Sequence, residues 1–337
     1  MSKPAVLVAR AVFPEVLERL AQHFEVSANQ DDASWSADEL AARLAGKQGV
    51  FTTASERIDA AQLTEKLQGK QGVFTTGSER IDAALLAACP DLKICANMAV
   101  GYNNFDVDAM AARGVLGTNA PDVLTETTAD FGFALLMATA RRITESEHFL
   151  RAGKWEKWSY DMFAGSDIHG ATLGIIGMGR IGQGIARRGA HGFGMNVIYH
   201  NRSRLDAALE AECKARYVGK EELLKTADHV VLVVPYSPAS HHTIGAAEIA
   251  LMKPTATLVN IARVVDDAAA GLDVFEGEPK VHPDLLTVPN VVLTPHIASA
   301  TVPTRRAMAD LAADNLIAWG TGNGPLTPVT PVPATTK

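Results

Sequence analysis

At 337 residues the chain exceeds what a single hydrophobic core comfortably serves, so two domains are expected. A composition that is 47% hydrophobic and 20% charged excludes a disordered chain, and a formal net charge of −7 excludes a phosphate-backbone binder, because no basic surplus exists to displace counterions. Cys89, Cys95 and Cys213 lack metal-like C-x-x-C spacing. Together with an N-terminal stretch, MSKPAVLVAR, that has no signal layout, they predict reduced thiols, no metal site and a cytoplasmic protein. The longest apolar run, 131–140, is too short to span a bilayer, so no membrane partner is expected.

Taken in order, short β-rich runs alternate with helical patterns, which predicts an α/β fold of parallel-sheet units. Ala5–Ala9 reads as a strand and Pro14–His23 as a helix with proline in its first turn. Residues 46–63 then recur as 69–86, with differences only at Ala54/Gly77 and Gln62/Leu85. Two copies are too few for a solenoid. Each reads as strand plus helix, so the first domain holds a surplus βα unit or pushes one outward. Strands follow at Leu92–Ala96 and Val115–Thr118. The segment from Thr125 is apolar nearly all round and predicts a long buried helix. Further strands are expected at Leu173–Ile176, Asn196–Tyr199, His229–Val234, Thr257–Ile261, Gly271–Phe275 and Val291–Thr294, and a loose tail from Gly320.

The segment ATLGIIGMGRIGQGIA puts G-x-G-x-x-G between a buried strand and a helix. Gly177 allows the tight turn, Gly179 lets backbone approach a pyrophosphate, and Gly182 lets helix and strand pack closely. The helix N-terminus offers N–H groups and partial positive charge to phosphates. The next strand ends in His200-Asn201-Arg202-Ser203-Arg204, where an NAD-preferring site usually carries an acid for the ribose 2′-hydroxyl. With no carboxylate there, and with two guanidiniums and a hydroxyl available to a 2′-phosphate, NADP(H) is the preferred cofactor and NAD(H) the second choice. A solvated basic turn is the plainer alternative.

From Leu258 to Thr301 the motifs V-N-I-A-R, G-L-D-V-F-E-G-E-P and T-P-H-I-A-S-A-T resemble the D-isomer-specific 2-hydroxyacid dehydrogenases. Within that family, H-N-R-S-R and P-Y-S-P-A-S-H-H-T-I look most like glyoxylate/hydroxypyruvate reductases and 2-ketogluconate reductases. The resemblance implies two doubly wound parallel-sheet domains. These are a flavodoxin-like substrate domain over 1–122, with a C-terminal helix at 310–320 packing back on it, and a Rossmann nucleotide domain over 123–309. It implies His296 as general acid, Glu278 as its partner, and Arg263 as the group that grips the substrate carboxylate and polarises its carbonyl. It further implies Asp273 at the nicotinamide carboxamide, Val100 and Gly101 as backbone donors to the carboxylate, Arg180 and Ile181 at the pyrophosphate, and Pro235 and Thr128 on the cofactor wall. Gly77, in the second repeat copy, is the choice for a further substrate contact. The implied partners are a small 2-oxo or 2-hydroxy acid and a second copy of the chain, with Trp155 and Trp158 after the long helix suiting either a partner's pocket or ordinary interface packing.

One departure from the family pattern bears on function. After Arg263 the expected glycine pair and most of a helix are missing, so only residues 264–270 precede Gly271. Parallel strands normally need a longer crossover. At about 3.4 Å per residue an extended return just suffices; a hairpin would instead carry Glu278 to the opposite sheet edge, about 17 Å from His296. The sequence therefore leaves two readings: a reductase of small 2-oxo acids, or a dinucleotide-binding protein without turnover, either an inactive relative or a corepressor-like sensor.

Overall fold

The computed structural model describes residues 5–8, 13–28, 49–51, 64, 67, 71–75, 79–235, 240–262, 271–275, 278 and 280–332. The chain divides into two compact units, Met1–Leu124 with Val302–Lys337, and Thr125–Thr301.

The first unit holds a six-stranded parallel sheet: β1 (Ala5–Val8), β2 (Glu25–Ala28), β3 (Gly49–Phe51), β4 (Gly72–Thr75), β5 (Ile94–Asn97) and β6 (Leu116–Thr118), in the order β2-β1-β3-β4-β5-β6. The duplication enters this sheet directly. The first copy supplies β3 and the second β4, paired in parallel with Phe51 opposite Phe74, the equivalent position of each repeat. The surplus unit is thus absorbed as an extra strand.

Side chains alternate across β4 and β5, as the period of two requires. Val73 and Cys95 join Leu85, Leu86 and Met110 in one core, while Phe74 and Ala96 join Val16, Leu20, Ala309, Ala312 and Ala313 in another. The helix Ala83–Ala88 is capped by Asp82 and Val107–Ala112 by Asp106, each carboxylate accepting an N–H of the first turn. On the opposite face Pro14–His23 packs beside Val302–Gly320, where Arg19 pairs with Asp310 and Asp314.

The C-terminal helix begins at Val302, earlier than the sequence reading places it, and belongs wholly to the first unit. The residues after it also differ from the expected loose tail. Gly322 and Gly324, both at positive φ, turn the chain back. Asn315 then accepts the N–H groups of Leu326 and Thr327 at 2.8 and 3.0 Å, and Pro328 bridges Thr118. Hydrogen bonds to a buried asparagine, rather than any apolar period, fix this segment.

The second unit holds a seven-stranded parallel sheet: β7 (Thr172–Ile176), β8 (Asn196–His200), β9 (Ala215–Tyr217), β10 (His229–Leu232), β11 (Thr257–Asn260), β12 (Gly271–Leu272) and β13 (Val292–Leu293). Its order is β13-β12-β11-β10-β7-β8-β9. The long helix Thr125–Ala140 packs on one face through Ala129, Phe133 and Leu136, beside Ile185 and Ala186 of Arg180–Arg187. Leu223 and Leu224 of Lys220–Thr226, with Ala227 just after it, cover the other face, against Ile176, Ile198 and Val230. β11 and β12 pair in parallel, Val259 opposite Gly271, so the return between them is not a hairpin. The connecting residues 263–270 lie outside the described residues.

Candidate active site

In the second sheet the chain order reverses between β7 and β10, and the glycine turn leaves the C-terminal end of β7 at that switch point. Gly177 sits at φ +103°, and a Cβ there would lie 2.5 Å from the Val233 carbonyl oxygen. A Cβ at Gly182 would lie 2.3 Å from the oxygen of Gly177, so only glycine lets helix and turn meet. Gly179 differs: a Cβ there meets nothing within 4 Å and would fill the open side of the turn. Gly179 is the N-cap of Arg180–Arg187 and supplies no side-chain acceptor, so the first-turn N–H groups, those of Arg180 and Ile181 included, border that open side. A backbone cradle at a helix N-terminus, open where a side chain would intrude, fits a pyrophosphate. Thr128 is buried, and its hydroxyl has no hydrogen-bond partner among the described residues. Pro235 is exposed, its carbonyl accepting the Ser240 hydroxyl at 2.8 Å.

The basic turn after β8 divides into distinct parts. The Asn201 side chain accepts the Met178 N–H at 2.6 Å, and the Gly177 N–H donates to His200 at 3.1 Å, so β8 pins the glycine turn. Arg204 forks onto Glu210 at 2.8 and 2.7 Å, and the Tyr199 hydroxyl donates to the same carboxylate at 2.7 Å. The Arg204 fork, with help from the tyrosine, draws the Glu210 pKa down to about 2; burial, then the carboxylate, pushes Tyr199 up to about 12. Arg202 and Ser203 are exposed, and Arg202 makes no ion pair or side-chain hydrogen bond among the described residues. Of the two arginines the sequence reading offered a 2′-phosphate, Arg202 alone is uncommitted; Arg204 is already paired.

Glu278 and His296 meet in the segments that follow β12 and β13. His296 Nδ1 lies 2.8 Å from Glu278 Oε2, and the other carboxylate oxygen accepts the Phe275 N–H at 2.8 Å. The carboxylate is an acceptor, so it selects Nδ1–H and leaves Nε2 for other chemistry. His296 adopts φ +53°, an uncommon state for a residue with a side chain. Asp273 explains how that state is held. Fully buried, it accepts the Thr294 hydroxyl at 2.7 Å and the N–H groups of Ile297 and Ala298 at 2.9 and 3.0 Å, enclosing His296 in one turn. Burial raises the Asp273 pKa, an effect the three donors oppose. Supporting the His296 turn is the role this geometry displays. Arg263 and Gly77 lie outside the described residues.

In the first unit, Val100 is half-buried and Gly101 exposed, in the loop after β5. Three asparagines that the sequence reading did not single out surround this loop. Asn97 Nδ2 donates to the Gly101 carbonyl at 2.9 Å and to Asn104 Oδ1 at 3.3 Å, and Asn119 Nδ2 donates to the Val100 carbonyl at 2.8 Å. Nothing in their spacing marks them; their roles follow from where β5 and β6 end.

Known proteins resemble this chain over nearly its whole length. Residues 133–298, spanning the glycine turn and the His296 turn, match the model described as D-isomer specific 2-hydroxyacid dehydrogenase, NAD binding domain. A glyoxylate reductase of Thermococcus onnurineus is 44% identical over 343 aligned positions, covering 96% of this chain and 95% of the relative. The chain belongs to the D-isomer-specific 2-hydroxyacid dehydrogenase family. A glyoxylate reductase of Thermococcus litoralis is 47% identical, with 96% of each chain covered. Among solved structures, an NADPH-dependent glyoxylate/hydroxypyruvate reductase of Sinorhizobium meliloti, in complex with NADP and malonate, is similar at a TM-score of 0.76 and 34% identity, covering 100% of this chain and 99% of that one. Members of this family are oxidoreductases that use a nicotinamide dinucleotide, and the α/β architecture and enzyme class expected from the sequence agree with membership.

Proposed function

We propose that the protein reduces a small 2-oxo acid of the glyoxylate, hydroxypyruvate or 2-ketogluconate type to the D-2-hydroxy acid, with NADPH as preferred reductant. The observation that carries this reading is the 2.8 Å pair between His296 and Glu278. Glu278 holds the imidazole in the tautomer that leaves Nε2 facing the substrate oxygen, where it exchanges the proton. When bound, the cofactor supplies the hydride. Arg263 is assigned to the substrate carboxylate and carbonyl on the strength of the V-N-I-A-R motif. Val100 and Gly101 are assigned to the same carboxylate through backbone N–H groups. The glycine turn, Arg180, Ile181, Thr128 and Pro235 complete the cofactor side, and Asp273, whose carboxylate supports the His296 turn, is assigned to the nicotinamide carboxamide on the strength of the G-L-D-V-F-E-G-E-P motif.

NADP(H) is favoured because the end of β8 carries no acid and leaves Arg202 uncommitted, and the Sinorhizobium meliloti relative is described as NADPH-dependent. The three cysteines are all buried and free, which suits the reduced cytoplasm. A second copy of the chain is the proposed partner, supported by the exposed Ile143, Leu150, Trp155, Trp158 and Tyr160 clustered within one stretch of the second unit. Among the described residues no helix is long and apolar enough to cross a membrane. The reading without turnover finds no support in the relatives, whose names are those of reductases.

Purified protein mixed with NADPH and glyoxylate, hydroxypyruvate or 2-ketogluconate consumes the reduced nicotinamide absorbance. Absence of turnover with every short 2-oxo acid, under conditions where NADPH binds, overturns the proposal.

A further inference from the structure

The loop Val100–Gly101–Tyr102 has its carbonyls taken up one after another from within the first unit. The Ala99 carbonyl accepts the Ala120 N–H at 2.9 Å, the Val100 carbonyl accepts Asn119 Nδ2 at 2.8 Å, and the Gly101 carbonyl accepts Asn97 Nδ2 at 2.9 Å. In a planar trans peptide the carbonyl of one residue and the N–H of the next point to opposite sides. Fixing these three carbonyls therefore fixes the N–H groups of Val100, Gly101 and Tyr102, each turned away from its anchor. None of those three N–H groups meets an acceptor among the described residues. Successive unpaired backbone donors of this kind are available to an anion.

The Asn97 amide is not free to turn over, and the Asn119 backbone is held in place. Asn97 is fully buried, with the Thr75 hydroxyl donating to its Oδ1 at 3.2 Å. Its Nδ2 also reaches Asn104 Oδ1, and Asn104 in turn donates to the Glu79 carbonyl at 2.9 Å. Because the Glu79 and Gly101 ends are both carbonyls, the relay has one consistent direction: each amide must present nitrogen outward along it. Asn119 is locked through its backbone, its N–H donating to the Thr327 carbonyl at 3.3 Å and its carbonyl accepting the Thr327 hydroxyl at 2.6 Å.

We infer that Asn97 and Asn119 are positioning residues for the substrate carboxylate, acting through the two loop carbonyls they hold rather than by touching the substrate. The inference rests on the reductase reading, which assigns this loop to the carboxylate. Without the amides the peptides are free to rotate, and the donors lose the directions their carbonyl anchors give them. The loss falls on carboxylate binding, not on the cofactor or the proton transfer. Such uniform binding appears in KM and leaves kcat in place.

The test compares wild type with Asn119→Ala, Asn97→Ala and the amide-keeping Asn119→Gln, by steady-state kinetics with glyoxylate and by calorimetric titration of the NADPH complex with oxamate, an unreactive 2-oxo carboxylate. Each alanine variant raises the glyoxylate KM and the oxamate Kd together by about five- to tenfold, the loss of one hydrogen bond, with kcat and the NADPH Kd within about twofold. Asn119→Gln recovers at least half of that loss. Unchanged KM and oxamate Kd in Asn119→Ala overturn the inference, as does a rise in KM matched by a rise in the NADPH Kd. Asn119 is only half-buried, so its variant serves if Asn97→Ala does not fold. A wild type without turnover that still binds oxamate, with binding weakened in Asn119→Ala, overturns the reductase reading while the anchoring survives.

Discussion

His296 Nδ1 and Glu278 Oε2 stand 2.8 Å apart although 18 residues separate them in the chain, because β12 and β13 run parallel and both side chains emerge beyond the same strand ends. The missing crossover residues could have destroyed this pair. The parallel register of Val259 with Gly271 preserves it. His296→Ala removes the proton donor and lowers kcat with glyoxylate by about a thousandfold, within the span ordinary for general acids, while the NADPH Kd stays unchanged. Glu278→Gln keeps the size but not the charge, and lowers kcat by about a hundredfold. Stopped-flow decay of the reduced nicotinamide signal checks both. A variant at either position with wild-type kcat removes the pair from the chemistry.

Much of this was legible in the chain itself, and the exceptions share a physical cause. The strand at Leu173–Ile176, the glycine turn after it and the helix at Pro14–His23 are local patterns, and they stand where periodicity put them. What escaped detection depends on side chains meeting across distance. Arg204 offers itself to a phosphate in sequence, and only the placement of the helix Ala207–Glu212 reveals that Glu210 has taken it. The segment after Gly320 lacks any apolar period, yet Asn315 orders it. The two repeat copies are locally alike, so no pattern within either could say that Phe51 and Phe74 would become neighbours in one sheet. The anchors Asn97 and Asn119 have no spacing signature at all.

The three glycines of the turn separate binding from folding. Gly179→Ala leaves the thermal midpoint near wild type, because its Cβ meets nothing within 4 Å. It weakens NADPH by about tenfold or more, the equivalent of one charge-assisted hydrogen bond at ~1.5 kcal/mol. Gly182→Ala forces a Cβ to within 2.3 Å of a backbone oxygen, which no side chain can yield to. Its effect is on stability, about 1–3 kcal/mol from overpacking. Denaturant melts paired with nicotinamide fluorescence titrations distinguish the two. Equal effects of both substitutions on the melt contradict the open side at Gly179.

The two arginines after β8 differ in the same way. Arg202, exposed and unpaired among the described residues, is the one available to a 2′-phosphate, whereas Arg204 is committed to Glu210. Arg202→Ala raises the NADPH KM by about tenfold and leaves the NADH KM unchanged, since only the phosphorylated ribose loses a charge-assisted contact. Arg204→Ala costs NADPH less, because part of that guanidinium's bonding was never offered to the cofactor. A larger loss from Arg204→Ala than from Arg202→Ala reverses this assignment.

The Tyr199–Glu210–Arg204 cluster makes stability depend on pH at both extremes. Arg204 and the tyrosine hydroxyl hold the folded Glu210 pKa at about 2, against an ordinary 4.5. Between those values the unfolded chain binds more protons than the folded one. The contribution is therefore complete above about pH 4.5 and lost as pH falls toward 2. Tyr199 works in the opposite direction. Its folded pKa is raised to about 12 from 10, so its share is complete below pH 10 and lost as pH climbs toward 12. Melting wild type, Glu210→Gln and Tyr199→Phe across the pH range checks both arms. The Tm advantage over Glu210→Gln narrows on the acid side and the advantage over Tyr199→Phe on the alkaline side, each through its own window. A constant gap between wild type and either variant means that residue's proton is not linked to folding, and that the hydrogen bonds drawn by Glu210 do not hold in solution.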